Sequence, residues 1–181
     1  MPIRRARLDA SEILFVMSPP SCVTVLFMRT FIVATDGSEL AFQAALAGVS
    51  LARPADKLLV VCAIDLVFPG EDATGHAGPT ITPEVAETSN REARDRGDSA
   101  AKAVAEALGD LGYASEQVEA RLVEGSPGPV LCRLAADVDA EALVIGSRGR
   151  GGLKRALLGS VSDYVVRNAP CSVIVSRSTG R

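Results

Sequence analysis

The chain predicts a single doubly wound α/β domain: a five-stranded parallel sheet in the order 3-2-1-4-5, with helices on both faces. Three observations predict it. From residue 29 onward, short apolar runs alternate with segments of helical period in the pattern β-α-β-α-β-α-β-α-β, and connections of crossover length make such strands parallel. The runs at 30–35, 58–63 and 142–145 are continuously apolar, as strands covered on both faces are. Residues 117–124 instead alternate polar and apolar, which suits an edge strand and favours that order.

The first strand, "TFIVAT" at 30–35, runs into "DGS", where Ser38 is placed to cap a helix with Glu39 in its first turn. Ala41, Phe42, Ala45, Leu46, Val49 and Ala52 then recur at helical spacing as far as Pro54. The second strand is "KLLVVCAI", 57–64. A loop from 65 to 83 follows, with three Gly and three Pro; loops that long in compact domains tend to be functional or mobile. Residues 84–111 form a long helix with Ala93, Gly97, Ala100, Ala101, Val104, Ala105, Leu108 and Leu111 along one face. The alternating strand at 116–125 and a helix at 126–138, opened by Ser-Pro, come next. "ALVIG" at 142–146 is a buried strand, a basic Gly-rich loop leads to a helix from Ser160 to Asn168, and "CSVIVS" at 171–176 is the last strand.

With 181 residues, the chain is long enough for one domain with a substantial core. Residues 29–176 carry the domain and 177–181 a tail. Residues 1–28 have an Arg-rich start and two short apolar patches, interrupted by Asp9, Glu12 and Pro19-Pro20. That pattern is a poor export signal and too broken to span a membrane, so the segment reads as either a mobile extension or an early start codon, and the expected location is the cytoplasm. A net charge of −3 and the absence of Trp argue against nucleic acid or an anionic membrane as partner. Cys22, Cys62, Cys132 and Cys171 form no CxxC pair and read as free thiols in a reducing compartment, and the lone His76 as a solvated loop residue.

In the predicted order, the switch point lies between the first and fourth strands, and ligands bind outside their carboxyl ends. The loops there are "TDGS" and "GSRGRGGLKRALLGS", residues 146–160, of which five are Gly and four Arg or Lys. No register of the second loop fits Walker A, G-x4-G-K-[ST], and the Rossmann G-x-G-x-x-G fails because Lys154 stands at its last position. What fits is Gly146-x2-Gly149-x9-Gly159-Ser160. Gly146 ends the strand. Gly149 lets backbone N–H groups approach an anion without an intervening Cβ. Gly159-Ser160 opens the last helix, whose free N–H groups favour a phosphate, with Ser160 expected as both cap and donor. Arg148, Arg150, Lys154 and Arg155 add positive charge, and Leu153, Leu157 and Leu158 are expected to pack inward from a short helical turn.

"FIVATDGSE" and "GSRGRGGLKRALLGSVSDYVVRNAPCSVIV" resemble the N- and C-terminal signatures of the universal stress protein family. The resemblance covers residues 29 to about 176, in order and spacing. It implies a five-stranded α/β fold, a homodimer formed through the last strand at 172–176, and adenine nucleotide binding, which in this family accompanies G-x2-G-x9-G-[ST]. Carried over by position, Asp36 hydrogen-bonds the ribose, and Ala34 and Thr35 line the nucleoside pocket. Ala63 contacts adenine through its backbone and Ile145 borders the base. Gly146, Gly149, Gly159 and Ser160 cradle the phosphates, assisted by the N–H of Val161 and by Arg148.

These residues suit binding better than catalysis. Fast ATP hydrolysis needs a metal-holding carboxylate and a means of orienting water, and Asp36, the obvious acid near the loop, is expected on the ribose. The expected function is therefore an ATP-binding stress-response sensor or regulator with at most slow ATPase activity, any Mg²⁺ being held by the phosphates more than by the protein. Two alternatives differ in kind. An interaction protein on the same fold would bind no nucleotide. An ATP-using adenylating enzyme of the PP-loop type would need S-G-G-x-D-S after the first strand, where this chain has "TDGSEL".

Overall fold

The computed structural model describes residues 13–16, 24–52, 56–70, 81–149 and 158–176. Two short strands, β1 (Ile13–Val16) and β2 (Thr24–Phe27), pair antiparallel with Ile13 opposite Phe27 and Val16 opposite Thr24. They coincide with the two apolar patches near the N-terminus and form a ribbon separate from the main sheet.

The main sheet contains β3 (Thr30–Thr35), β4 (Lys57–Ile64), β5 (Val118–Glu124), β6 (Ala142–Gly146) and β7 (Ser172–Ser176). Its order is β5-β4-β3-β6-β7 and every pair is parallel. Counted from β3, this is the order 3-2-1-4-5 that the sequence predicts. The helices α1 (Glu39–Gly48), α2 (Pro83–Asp110), α3 (Pro127–Asp137) and α4 (Ser160–Asn168) alternate with the strands. Serine, threonine and proline set the helix starts: the Ser38 hydroxyl accepts the Ala41 N–H at 3.1 Å, and Thr82 caps α2 ahead of Pro83. The first helix ends at Gly48, short of the expected 52, and passes into a 3₁₀ turn at Val49–Leu51. There the Tyr113 hydroxyl donates to the Val49 carbonyl at 3.1 Å, a tertiary bond that local spacing does not reveal.

Period-two alternation divides the core into two layers. Phe31, Val33, Leu58, Val60 and Val144 face Ala45 and Val49 beside Ala101, Val104 and Leu108 of α2. Ile32, Ala34, Leu59, Val61, Leu143 and Ile145 face Leu131 and Ala135 of α3 and Val165 of α4. At the amino end of the sheet, buried Asp56 takes Arg29 at 2.6 Å, which holds the guanidinium above its ordinary pKa, and Arg29 also reaches Glu141 at 3.5 Å. That clamp joins the starts of β3, β4 and β6 and leaves the carboxyl ends to form a site.

The middle of the long loop (71–80, with His76), residues 150–157 (with Arg150, Leu153, Lys154, Arg155 and Leu157), Cys22 and the tail from 177 lie outside the described residues.

Candidate functional site

The first wall of the site is the turn after β3. Buried Thr35 accepts the Gly37 N–H on Oγ1 at 3.2 Å, and Asp36 accepts the Ser38 N–H on Oδ1 at 3.0 Å. This is an Asx-turn, and Gly37 supplies the positive φ of 76° that it requires. The turn fixes the Asp36 carboxylate at the carboxyl edge of the sheet.

The second wall is where β6 hands over to α4. Ser147 N–H donates to the Ser176 carbonyl at 2.8 Å, and the Ser147 carbonyl accepts the Gly159 N–H at 2.8 Å. The buried Ser162 hydroxyl donates to the Gly146 carbonyl at 2.7 Å. The two halves of the Gly-rich loop therefore touch directly. Gly159, in extended conformation, is the cap of α4; Ser160 is its first helical residue and is exposed. The expectation that Ser160 caps the helix is thus corrected. Serine has the higher capping propensity, but the Gly159–Ser147 bond sets the position at which the helix begins.

Between these walls lies a cavity of about 340 Å³, within the size range of small-molecule clefts. All eleven residues nominated from the sequence line it. From β3 and its turn come Ala34, Thr35 and Asp36, from β4 comes Ala63, and from β6 and the following turn come Ile145, Gly146, Arg148 and Gly149. Gly159, Ser160 and Val161 complete the set. Sequence reasoning missed Ala41, Pro127, Leu131 and Ser162. Pro127 and Leu131 lie one turn apart on α3, which begins at the carboxyl end of β5 on the same rim, and that spacing is the signal that could have found them. Leu158, expected to pack inward, is half-buried against the cavity.

The lining divides by chemistry. Ala63, Pro127, Leu131, Ile145 and Val161 are apolar, whereas glycines, Ser160 and exposed Arg148 gather where β6 meets α4. The first N–H groups of α4 have no acceptor within the helix and carry the positive end of its dipole. Asp163 in that first turn is paired with Arg167 at 2.9 and 3.0 Å, which lowers its pKa, and it does not line the cavity. An apolar slot beside a glycine-lined helix start suits a ligand that is flat and apolar at one end and anionic at the other.

The sequence model of the universal stress protein family matches residues 28–177. The chain belongs to the universal stress protein family. The match begins at Met28, just before β3. Universal stress protein MJ0531 of Methanocaldococcus jannaschii is 28% identical over 149 residues, covering 81% of each chain. Universal stress protein UspA from Lactobacillus plantarum superposes with a TM-score of 0.65 at 22% identity, covering 82% of this chain and 97% of that one. A universal stress protein in complex with cAMP superposes with a TM-score of 0.50 at 27% identity, covering 83% of this chain and 98% of that one. The five-stranded parallel domain of this chain shares its fold with these neighbours. Among its described residues no helix is long and apolar enough to cross a membrane, and no cluster of three or more His, Cys, Asp or Glu is placed to hold a metal ion.

Proposed function

We propose that this universal stress protein binds ATP in the switch-point cavity and acts as a nucleotide-dependent regulator of a stress response in the cytoplasm, working as a homodimer. The observation that carries this is the division of one cavity into an apolar slot and a glycine-lined helix start, with the Asp36 carboxylate nearby. The base packs against Ala63, Pro127, Leu131 and Ile145, and the ribose hydroxyls donate to Asp36. The phosphates lie along Gly146–Gly149 and the first turn of α4, where unpaired N–H groups favour an anion. Arg148 adds one positive charge. The cAMP complex of a relative supports an adenine nucleotide as the ligand class.

Binding is favoured over turnover. Asp36 is the sole carboxylate among the described lining residues, and a carboxylate engaged by the ribose does not also hold Mg²⁺ or orient water. Mg²⁺, when it accompanies ATP, is held by the phosphates, and ATPase activity is at most slow.

The test is nucleotide released from the denatured purified protein, identified by mass spectrometry, together with calorimetric titration by ATP. Saturable binding at one site per chain is expected. Absence of binding at millimolar ATP overturns the proposal and leaves an interaction protein on the same fold.

A further inference from the structure

Ser162 lines the cavity, yet its hydroxyl proton is committed elsewhere. It is the third residue of α4, is 3% exposed, and donates to the carbonyl of Gly146 sixteen positions earlier at 2.7 Å. The register of β3 with β6 ends at Val33 opposite Val144, so Gly146 runs two residues beyond its last partner on that side. Its carbonyl therefore lies past the end of the ladder on the β3 side, and the Ser162 hydroxyl supplies its donor. The next carbonyl, that of Ser147, is taken by the Gly159 N–H at 2.8 Å. Two consecutive carbonyls at the exit of β6 are thus held by the first turn of α4, one through the backbone and one through this side chain.

We infer that Ser162 is a positioning residue for the phosphate end of the ligand. This rests on the nucleotide proposal above. Ser162 does not donate to phosphate, because its proton lies on Gly146. It sets the distance and angle between the two glycine half-sites, Gly146–Gly149 and Gly159–Ser160, that a phosphate chain bridges. Val165 packs the middle of α4 into the core; its start is tied to the exit of β6 by the Gly159–Ser147 bond and, one turn further along, by the bond from Ser162. Of the apolar slot, Ala63, Pro127 and Leu131 stand on β4 and α3, away from this bond, while Ile145 and Val161 adjoin its two ends.

The test compares ATP with adenosine on the full chain, ATP by calorimetry and adenosine by saturation-transfer NMR at millimolar concentration. Ser162→Ala is expected to lose ATP affinity about fivefold, the worth of one net hydrogen bond, while adenosine affinity stays within about twofold. Ser162→Thr, which keeps the hydroxyl, restores ATP affinity. If the alanine variant does not fold, Ser162→Cys, similar in size and a weak donor, carries the same comparison. Equal losses for ATP and adenosine indicate general loosening and overturn the assignment, as does unchanged ATP affinity. Wild-type protein that binds no ATP overturns the nucleotide proposal and this one together, whereas wild-type binding with an unaffected Ser162→Ala overturns only the role of Ser162.

Discussion

The carboxylate of Asp36 lies against the backbone of Gly149, so closely that a Cβ at residue 149 would collide with Oδ2. Asp36 leaves the end of β3 and Gly149 follows β6, and these are the two strands that part at the switch point. A side chain at 149 would therefore have to displace the Asp36 carboxylate, a constraint separate from any phosphate. The sequence motif alone suggests only the phosphate.

A double-mutant cycle separates the two constraints. Gly149→Ala is expected to destabilise the protein by about 1 kcal/mol, the worth of a hydrogen bond such as that from the Ser38 N–H which a displaced Asp36 carboxylate gives up, and to weaken ATP binding by displacing Asp36. In an Asp36→Ala background the stability cost of Gly149→Ala should largely vanish, because the colliding oxygen is gone. Urea unfolding of the four proteins measures this. Additive costs would show that the carboxylate is not what excludes the Cβ.

Much of this site was legible because glycine spacing and strand ends are local features. Gly146, Gly149 and Gly159 are marked by their intervals and Asp36 by its place in the turn after the first apolar run, whereas Ala63 enters only through the family resemblance. What stayed hidden depends on tertiary contacts. Ser162 reads as an ordinary polar residue in an amphipathic helix until α4 is laid against the end of β6. Pro127 reads as a helix start, its usual meaning, until α3 is placed over the same rim as Ala63. Ser160 was expected to cap because serine commonly does, and only the Gly159–Ser147 bond shows which residue begins the helix. The early end of α1 has the same origin, since the Tyr113 bond that accompanies it comes from 64 residues away.

The two edges of the sheet differ in a way that bears on assembly. The β5 edge carries Glu119, which takes Lys57 at 2.9 Å and also Arg121, and charges of this kind discourage strand addition. The β7 edge is "SVIVS", without a charge. Because the Ser176 carbonyl accepts from Ser147 of the β6 side, residues 172, 174 and 176 point their backbone groups inward, and those of Val173 and Val175 face outward. Val173→Pro therefore removes an outward N–H and spares the pairing with β6. The expected result by light scattering at micromolar concentration is a wild-type dimer and a folded Val173→Pro monomer. Ile174→Pro, which attacks the inner ladder, should unfold the protein. A monomeric wild type would remove β7 from consideration as an interface.

Acid should unfold the protein partly through carboxylates that the fold keeps ionised. The Glu119 carboxyl is held below its ordinary range by Lys57 and then Arg121; Asp163 is lowered by Arg167, and Glu84 by its own backbone N–H at the start of α2 and by Thr82. A carboxylate whose pKa falls on folding stabilises the native state fully above its unfolded value, and that contribution is lost as pH drops through the folded one. Stability should thus be level from neutral pH to about pH 5.5 and fall below about pH 4.5, where unfolded carboxylates begin to take protons. Glu119 is more than a third exposed, so its share is small, about 0.5 kcal/mol after solvent screening. Glu119→Gln should reduce the difference between the unfolding free energies from urea titrations at pH 7 and pH 4 by part of that amount, leaving the parts due to Asp163 and Glu84. Raised salt should shrink the Glu119 contribution further, because the pair is within reach of solvent ions. An identical pH dependence in wild type and Glu119→Gln would show that the Lys57–Glu119–Arg121 group adds nothing to folding and serves only to charge the β5 edge.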